Sequence, residues 1–255
     1  MKTPKEVHEW IDKDCAKTHE RQFRKLYRKE IKFIEDTEIF FCRINHILGR
    51  FPPLNEADES IRDLFADMYD SFTTAKKMIL QGYLNPPFSL MRRAFETMLL
   101  IRYFHFLPDK ERKWRKGGKK GEIKPEKTLS IGRGDEKFLK AAYNYYSRGT
   151  HINSKYVWPR QLGKSFKFTL GNFFLNPNVS PYSMITREYI MRLIQLIALA
   201  KYIIYLRYEP ILLSFDSTLA KAEKKISDDA ANVLIVRLNS DLEAKKAEQR
   251  KIQGL

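Results

Sequence analysis

Residues 55–82 read NEADESIRDLFADMYDSFTTAKKMILQG, and this stretch decides the fold class. Ile61, Leu64, Phe65, Met68, Tyr69, Phe72, Ala75, Met78 and Ile79 recur at intervals of three and four. That spacing gathers side chains on one face of an α-helix. Asn55 is placed as an N-cap, with Glu56, Asp58 and Glu59 in a first turn whose dipole favours negative charge. Gly82 is the expected stop, since a helix C-terminus often needs a left-handed residue. One apolar stripe has to be buried against something, and the flanking sequence offers more helices.

Upstream, no glycine and no second proline occurs between Pro4 and Leu48, while apolar residues keep helical spacing. Residues 1–50 are therefore expected to form one long N-terminal helix or a kinked pair, ended by Gly49 and Pro52-Pro53. Downstream, Pro86-Pro87 suits the first turn of a helix reaching Phe106, with Leu90, Phe95, Met98, Leu99 and Tyr103 as core. A helix from about Asp135 to Arg148 and a long apolar one over 184–213 are also expected. Between them, residues 116–134 hold five glycines and many lysines and read as a basic loop outside the core. Ser165 to Leu170 alternates, so a short β-hairpin is expected near 165–175. Residues 216–255 read as a charged helical tail with a weaker stripe through Leu219, Ile226, Val233, Leu234 and Leu242. The expectation is an all-α fold, with a bundle core at 51–213 and helical extensions at both ends.

The 255 residues are 43% hydrophobic, enough for a real core, yet the formal charge is +16. Such an excess points to RNA or another polyanion as partner. Two cysteines make no disulfide framework, and the opening residues lack an apolar run, so a cytoplasmic setting is expected. Tyr189 to Leu213 is the strongest membrane candidate. Arg192, Lys201, Arg207 and Glu209 interrupt it, and each such charge costs about 2.5 kcal/mol or more at a bilayer centre. A buried helix is expected there, with no transmembrane segment. Cys15–His19 and Cys42–His46 each have i,i+4 spacing, but on one helix the pairs stand about 40 Å apart. No metal and no cofactor is expected. Phosphate-loop, dinucleotide, serine-hydrolase and zinc-protease motifs are missing from the sequence.

Lys113, Trp114, Arg115, Lys116, Lys119 and Lys120, followed by Lys124 and Lys127, are candidates to contact phosphates, with Trp114 stacking a base. Arg21, Arg24, Lys25, Arg28 and Lys29 form a second basic cluster. The alternating charges of the tail also suit a partner helix, hence a homodimer through the terminal helices.

Arg92 and Glu96 share a helical face by their spacing, as do Tyr143, Asn144, Ser147 and His151, with Arg148 at the edge. If the two helices pack together, an arginine, a glutamate and a histidine meet in an apolar setting. The order Leu90-x-Arg92-x3-Glu96, Trp114-x2-Gly117 and Tyr143-Asn144-x2-Ser147-x3-His151 resembles a prokaryotic all-helical family similar to the HEPN (higher eukaryote and prokaryote nucleotide-binding) superfamily. The likeness covers roughly residues 75–160. It implies a HEPN-like helical bundle and a metal-independent endoribonuclease acting in stress or defence. In that reading His151 takes the proton from a ribose 2′-hydroxyl, Arg148 or Arg92 holds the phosphate, and Glu96 orients them. Only Gly149 and Thr150 separate Arg148 from His151, a tighter spacing than the family's. The alternative is a non-enzymatic interaction or dimerisation module in which the Arg-Glu-His network is structural.

Overall fold

The structure, a computed structural model, describes residues 3–9, 16–83, 86–117, 123, 125–131, 136–148, 161–162, 167–168, 182–215, 218–219, 221–226 and 228–229. In order, the elements are α1 (Pro4–Glu9), α2 (Ala16–Leu26), α3 (Arg28–Leu48), α4 (Asp58–Leu80), α5 (Pro86–Phe106), α6 (Asp109–Arg115), α7 (Pro125–Leu129), α8 (Glu136–Arg148), β1 (Gln161–Leu162), β2 (Lys167–Phe168) and α9 (Tyr182–Phe215). The all-α class holds. The strands pair antiparallel, Gln161 opposite Phe168 and Leu162 opposite Lys167. The pairing therefore begins ahead of the expected 165–175, and 169–175 lie outside the described residues.

The core is organised around α5. Phe88, Met91, Ala94, Phe95, Met98, Leu99, Ile101 and Phe104 are all buried, which leaves this helix little polar surface. A helix apolar on most sides has to be surrounded, and α4, α6, α7, α8 and α9 all pack on it. Its most extensive partner is α4, which presents Ile61, Leu64, Phe65, Met68, Phe72, Ala75 and Ile79. At the C-terminus of α4, Gly82 adopts φ 87°, while the Gly82 and Tyr83 amides donate to the carbonyls of Ile79 and Met78. This is the left-handed cap its position predicted.

The second apolar helix, α9, buries Tyr189, Leu193, Ile194, Ile197, Ile204 and Tyr208 and touches α3, α4 and α5. Phe88 meets Tyr189 edge-on at 4.6 Å. From Glu188 to Phe215 this helix is long and apolar enough to cross a bilayer, and 56% of its most apolar window is buried within the fold. Two of its charges are also inside. Lys201 reaches Glu223 at 2.7 Å, and Arg207 reaches Asp58 at 3.0 Å.

Several expectations shift. Asn55 does not cap α4. Its side chain accepts from Ala57 N–H at 3.1 Å, and the helix starts at Asp58. Asp58 is fully buried rather than a surface acid in the first turn. The 116–134 segment is not wholly a loop outside the core, because α7 lies within it and buries Thr128 and Leu129. Pro125 starts that helical turn, and Leu129 has apolar area to hide. The N-terminal region is kinked, since Tyr27 takes φ −117° and ψ 36° between α2 and α3. Leu219 and Ile226 are buried in the core, whereas Val233, Leu234 and Leu242 lie outside the described residues.

Helix α2 docks on α4 partly through His19. Its Nδ1–H donates to the Leu80 carbonyl at 3.4 Å, the ring lies 4.7 Å from Phe23, and Nε2 is buried without a partner. Burial lowers the pKa from 6.5 to about 4, against a smaller opposing effect of the Leu80 carbonyl. A histidine held neutral in the fold stabilises above the unfolded value. That stability drains as pH falls through 6.5 towards 4, because the unfolded chain takes the proton first. At the limit this amounts to about 3 kcal/mol. Thermal denaturation of wild type and His19→Phe from pH 7 to 4 should give curves that diverge as pH falls, with wild type losing more. Parallel curves would remove His19 as the cause.

Candidate functional site

The two helices carrying the predicted site do pack. At the corner where α5, α8 and α9 meet, Arg92 donates through Nε to Glu96 at 2.8 Å, with side-chain exposures of 24% and 38%. The Arg92 guanidinium lies 5.8 Å from the Tyr143 ring. Burial works against the charge on Arg92, but Glu96 and Tyr143 outweigh it and its pKa is raised. Among the supporting residues, Ser147 is half-buried and Asn144 faces solvent. Arg148 is the last residue of α8. His151 lies outside the described residues, so the base needed for a 2′-hydroxyl has no described position.

A second arginine stands at the same corner. Arg192 of α9 pairs with Glu188 at 2.8 Å, donates to Gln195 at 3.1 Å and stacks 4.1 Å from the Tyr145 ring. Tyr146 donates to the Arg192 carbonyl at 3.0 Å and packs 5.3 Å from Phe95. Burial, helped by Glu188, pushes the Tyr145 phenol up; burial likewise raises Tyr146. Helix α8 thus offers one tyrosine to an Arg–Glu pair on α5 and another to an Arg–Glu pair on α9. The i,i+4 spacing of Glu188 and Arg192 was the available sequence signal, hidden inside a run read for its hydrophobicity.

The basic insert is partly committed elsewhere. Arg112 pairs with Glu56. Arg115 donates to Glu111 at 2.7 Å and to the Glu56 carbonyl at 2.8 Å. Glu111 is only 1% exposed and also accepts from Ser60 at 2.5 Å. Trp114 is half-buried against Phe104 at 5.4 Å, an anchoring contact rather than an exposed stacking platform. Lys113 and Lys116 are exposed, and Lys116 borders a cavity of about 630 Å³ shared with Glu56 and Glu59. Lys119, Lys120 and Lys124 lie outside the described residues; Lys127 is exposed in α7.

The other basic cluster is open. On α2 and the start of α3, Lys17, Arg21, Lys25, Arg28 and Lys29 are exposed, while Ala16, His19, Phe23, Tyr27 and Ile31 are buried. Within α2, helical spacing sets Lys17, Arg21, Arg24 and Lys25 on one side, opposite the buried Ala16, His19 and Phe23, and Arg28 and Lys29 open α3 beyond the break at Tyr27. Arg24 is held by Glu20 and Glu35, and Lys32 by Asp36. As for metal ligands, no group of three His, Cys, Asp or Glu side chains comes together among the described residues. Cys42 sits 3.2 Å from the Tyr69 hydroxyl, His46 accepts from Arg50 at 2.8 Å, and Cys15 lies outside the described residues. Comparison with protein-family models, with curated proteins and with solved structures gave no match to this chain.

The two arginines of the corner should differ in weight. Arg192 has the closer ring contact and two side-chain partners, so Arg192→Ala is expected to cost about 1–2 kcal/mol and Arg92→Ala less than about 1 kcal/mol. For a chain of this size that separates their midpoints by a few degrees in thermal denaturation. A larger loss at Arg92 would contradict the ranking.

Proposed function

We propose that this chain is a basic, all-helical intracellular protein that binds RNA or another polyanion. The observation that carries the reading is the open basic face of α2 and α3. There Lys17, Arg21, Lys25, Arg28 and Lys29 are exposed, whereas the arginines of α6 are paired with Glu56 and the buried Glu111. Uncommitted cations that displace counterions from phosphates are the source of salt-dependent nucleic-acid affinity. Helix α9 fits this reading as a core helix rather than a membrane span, with its Lys201 and Arg207 paired inside the fold.

A second reading adds chemistry, metal-independent RNA cleavage of the HEPN type in stress or defence. The observation favouring it is that Arg92 is oriented by Glu96 and Tyr143 yet remains accessible, as a phosphate clamp has to be. His151 and Arg148, just beyond on the same chain, would then act as base and second clamp.

One set of measurements tests both. RNA affinity of wild type should fall steeply with salt. Reversing Arg21, Lys25 and Arg28 to Glu should weaken binding by at least about tenfold and flatten the salt slope by about 0.7 per lost contact. Affinity that ignores salt, or that survives the reversal, overturns the binding reading. In the same samples with chelator present, wild type should cleave RNA while His151→Ala binds without cleaving. Cleavage that needs metal, or persists in His151→Ala, ends the catalytic reading and leaves the binding one standing.

A further inference from the structure

Resting on the polyanion reading above, we infer that the basic face of α2 and α3 is a docking surface for the phosphate backbone of double-stranded nucleic acid rather than a single strand. Proteins that hold single strands combine a positive groove with aromatic side chains on which bases stack. This face has neither. Phe23, Tyr27, Phe33, Phe40 and Phe41, the aromatics of these two helices, are all buried. The surface is the convex side of a helix whose opposite side is packed on α4 through His19 and its neighbours.

The described hollows carry mixed charge. The one beside α6 is lined by Glu56, Glu59 and Glu111 together with Arg112, Arg115 and Lys116. Along the α3–α4 seam, Glu35 and Glu38 stand with Arg43 and Lys76, and Glu20 with Arg24 and Lys77. None of these described hollows is a uniformly positive channel for a flexible strand, whereas Lys17, Arg21, Lys25, Arg28 and Lys29 are exposed on the helices themselves.

Exposed cations at about one per helical turn along α2, Lys17, Arg21 and Lys25, continued by Arg28 and Lys29 at the start of α3, suit a ligand whose phosphates are regularly spaced and whose bases are already stacked away. A duplex has both properties. A-form RNA can also be read through its backbone and 2′-hydroxyls without entering the bases. A membrane surface fits less well, because the apolar side of α2 is turned into the fold and offers nothing to insert.

The test compares full-length protein with a short RNA duplex, the DNA duplex of the same sequence, each separated strand, and phosphatidylserine–phosphatidylcholine vesicles at one salt concentration. The duplexes should bind at least about tenfold more tightly than their strands. Lys25→Gln with Arg28→Gln should remove about tenfold of that affinity with an unchanged melting curve. Lys140→Gln, at an exposed lysine of α8, should leave duplex binding as in wild type. Equal affinity for RNA and DNA duplexes identifies backbone charge as what is recognised, and a preference for RNA identifies the 2′-hydroxyl as well. Strands bound as tightly as duplexes, or duplex affinity untouched by the double variant, overturn the inference alone. Binding to vesicles without duplex binding also overturns it. No binding to any nucleic acid overturns the polyanion reading with it.

Discussion

One buried carboxylate holds together parts of the chain that lie far apart in sequence. Asp58 has no exposed surface, and it accepts hydrogen bonds from Arg207 at 3.0 Å, Arg62 at 2.9 Å and the Leu54 amide at 3.2 Å. Arg62 then uses its remaining donors on the carbonyls of Leu48, Phe51 and Pro52. Arg207 extends to Asn55 at 3.1 Å. The end of α3, the connection into α4 and the far half of α9 thus share one set of charges. A carboxylate taken fully out of water is tolerated only when paired and hydrogen-bonded. The charge of the same arginine is felt at His105, whose pKa is lowered by burial first and by Arg207 second. This hub ties α9 to the start of α4 and the end of α3, and α9 packs on α5 as well.

Much of the helical framework was legible in the sequence, and the reason is periodicity. Helices α4, α5, α8 and α9 begin and end within a few residues of the limits set by Pro86, Gly82 and the apolar spacing. The turns of α6 and α7 were not legible, being too short for a repeat to register and set among lysines and glycines. Asp58 was misread because an acid in a first turn looks the same whether it faces solvent or the core. Only the arrival of Arg207, 149 residues later, decides between them. Arg192 escaped for a related cause. Spacing tells which face a residue occupies, but not which partner comes to meet it.

The functional part was legible to a lesser depth. Arg92 and Glu96 do pair, and α8 does lie against them with Tyr143, as the spacing of the two segments implied. What the pattern did not reveal is the internal use of charge. Arg115 looked like a phosphate ligand in the sequence, yet it clasps Glu111 within α6, while Arg112 reaches Glu56 just ahead of α4. Once those are subtracted, exposed lysines remain on α6, α7 and α8, while Lys17, Arg21, Lys25, Arg28 and Lys29 stand exposed within one short span of α2 and the start of α3. That local density is what gives the binding proposal a location.

The dependence of the fold on its buried hub is open to direct measurement by a double-mutant cycle on Asp58 and Arg207, with unfolding free energies from denaturant titration. Asp58→Ala should cost about 3–5 kcal/mol, because it strands the buried Arg207, and Arg207→Ala somewhat less, because Arg62 still pairs with Asp58. The double variant should cost clearly less than their sum, with a coupling of about 2 kcal/mol or more. Strictly additive losses, or single losses under about 1 kcal/mol, would show that α9 is held by apolar packing alone and that the hub is incidental.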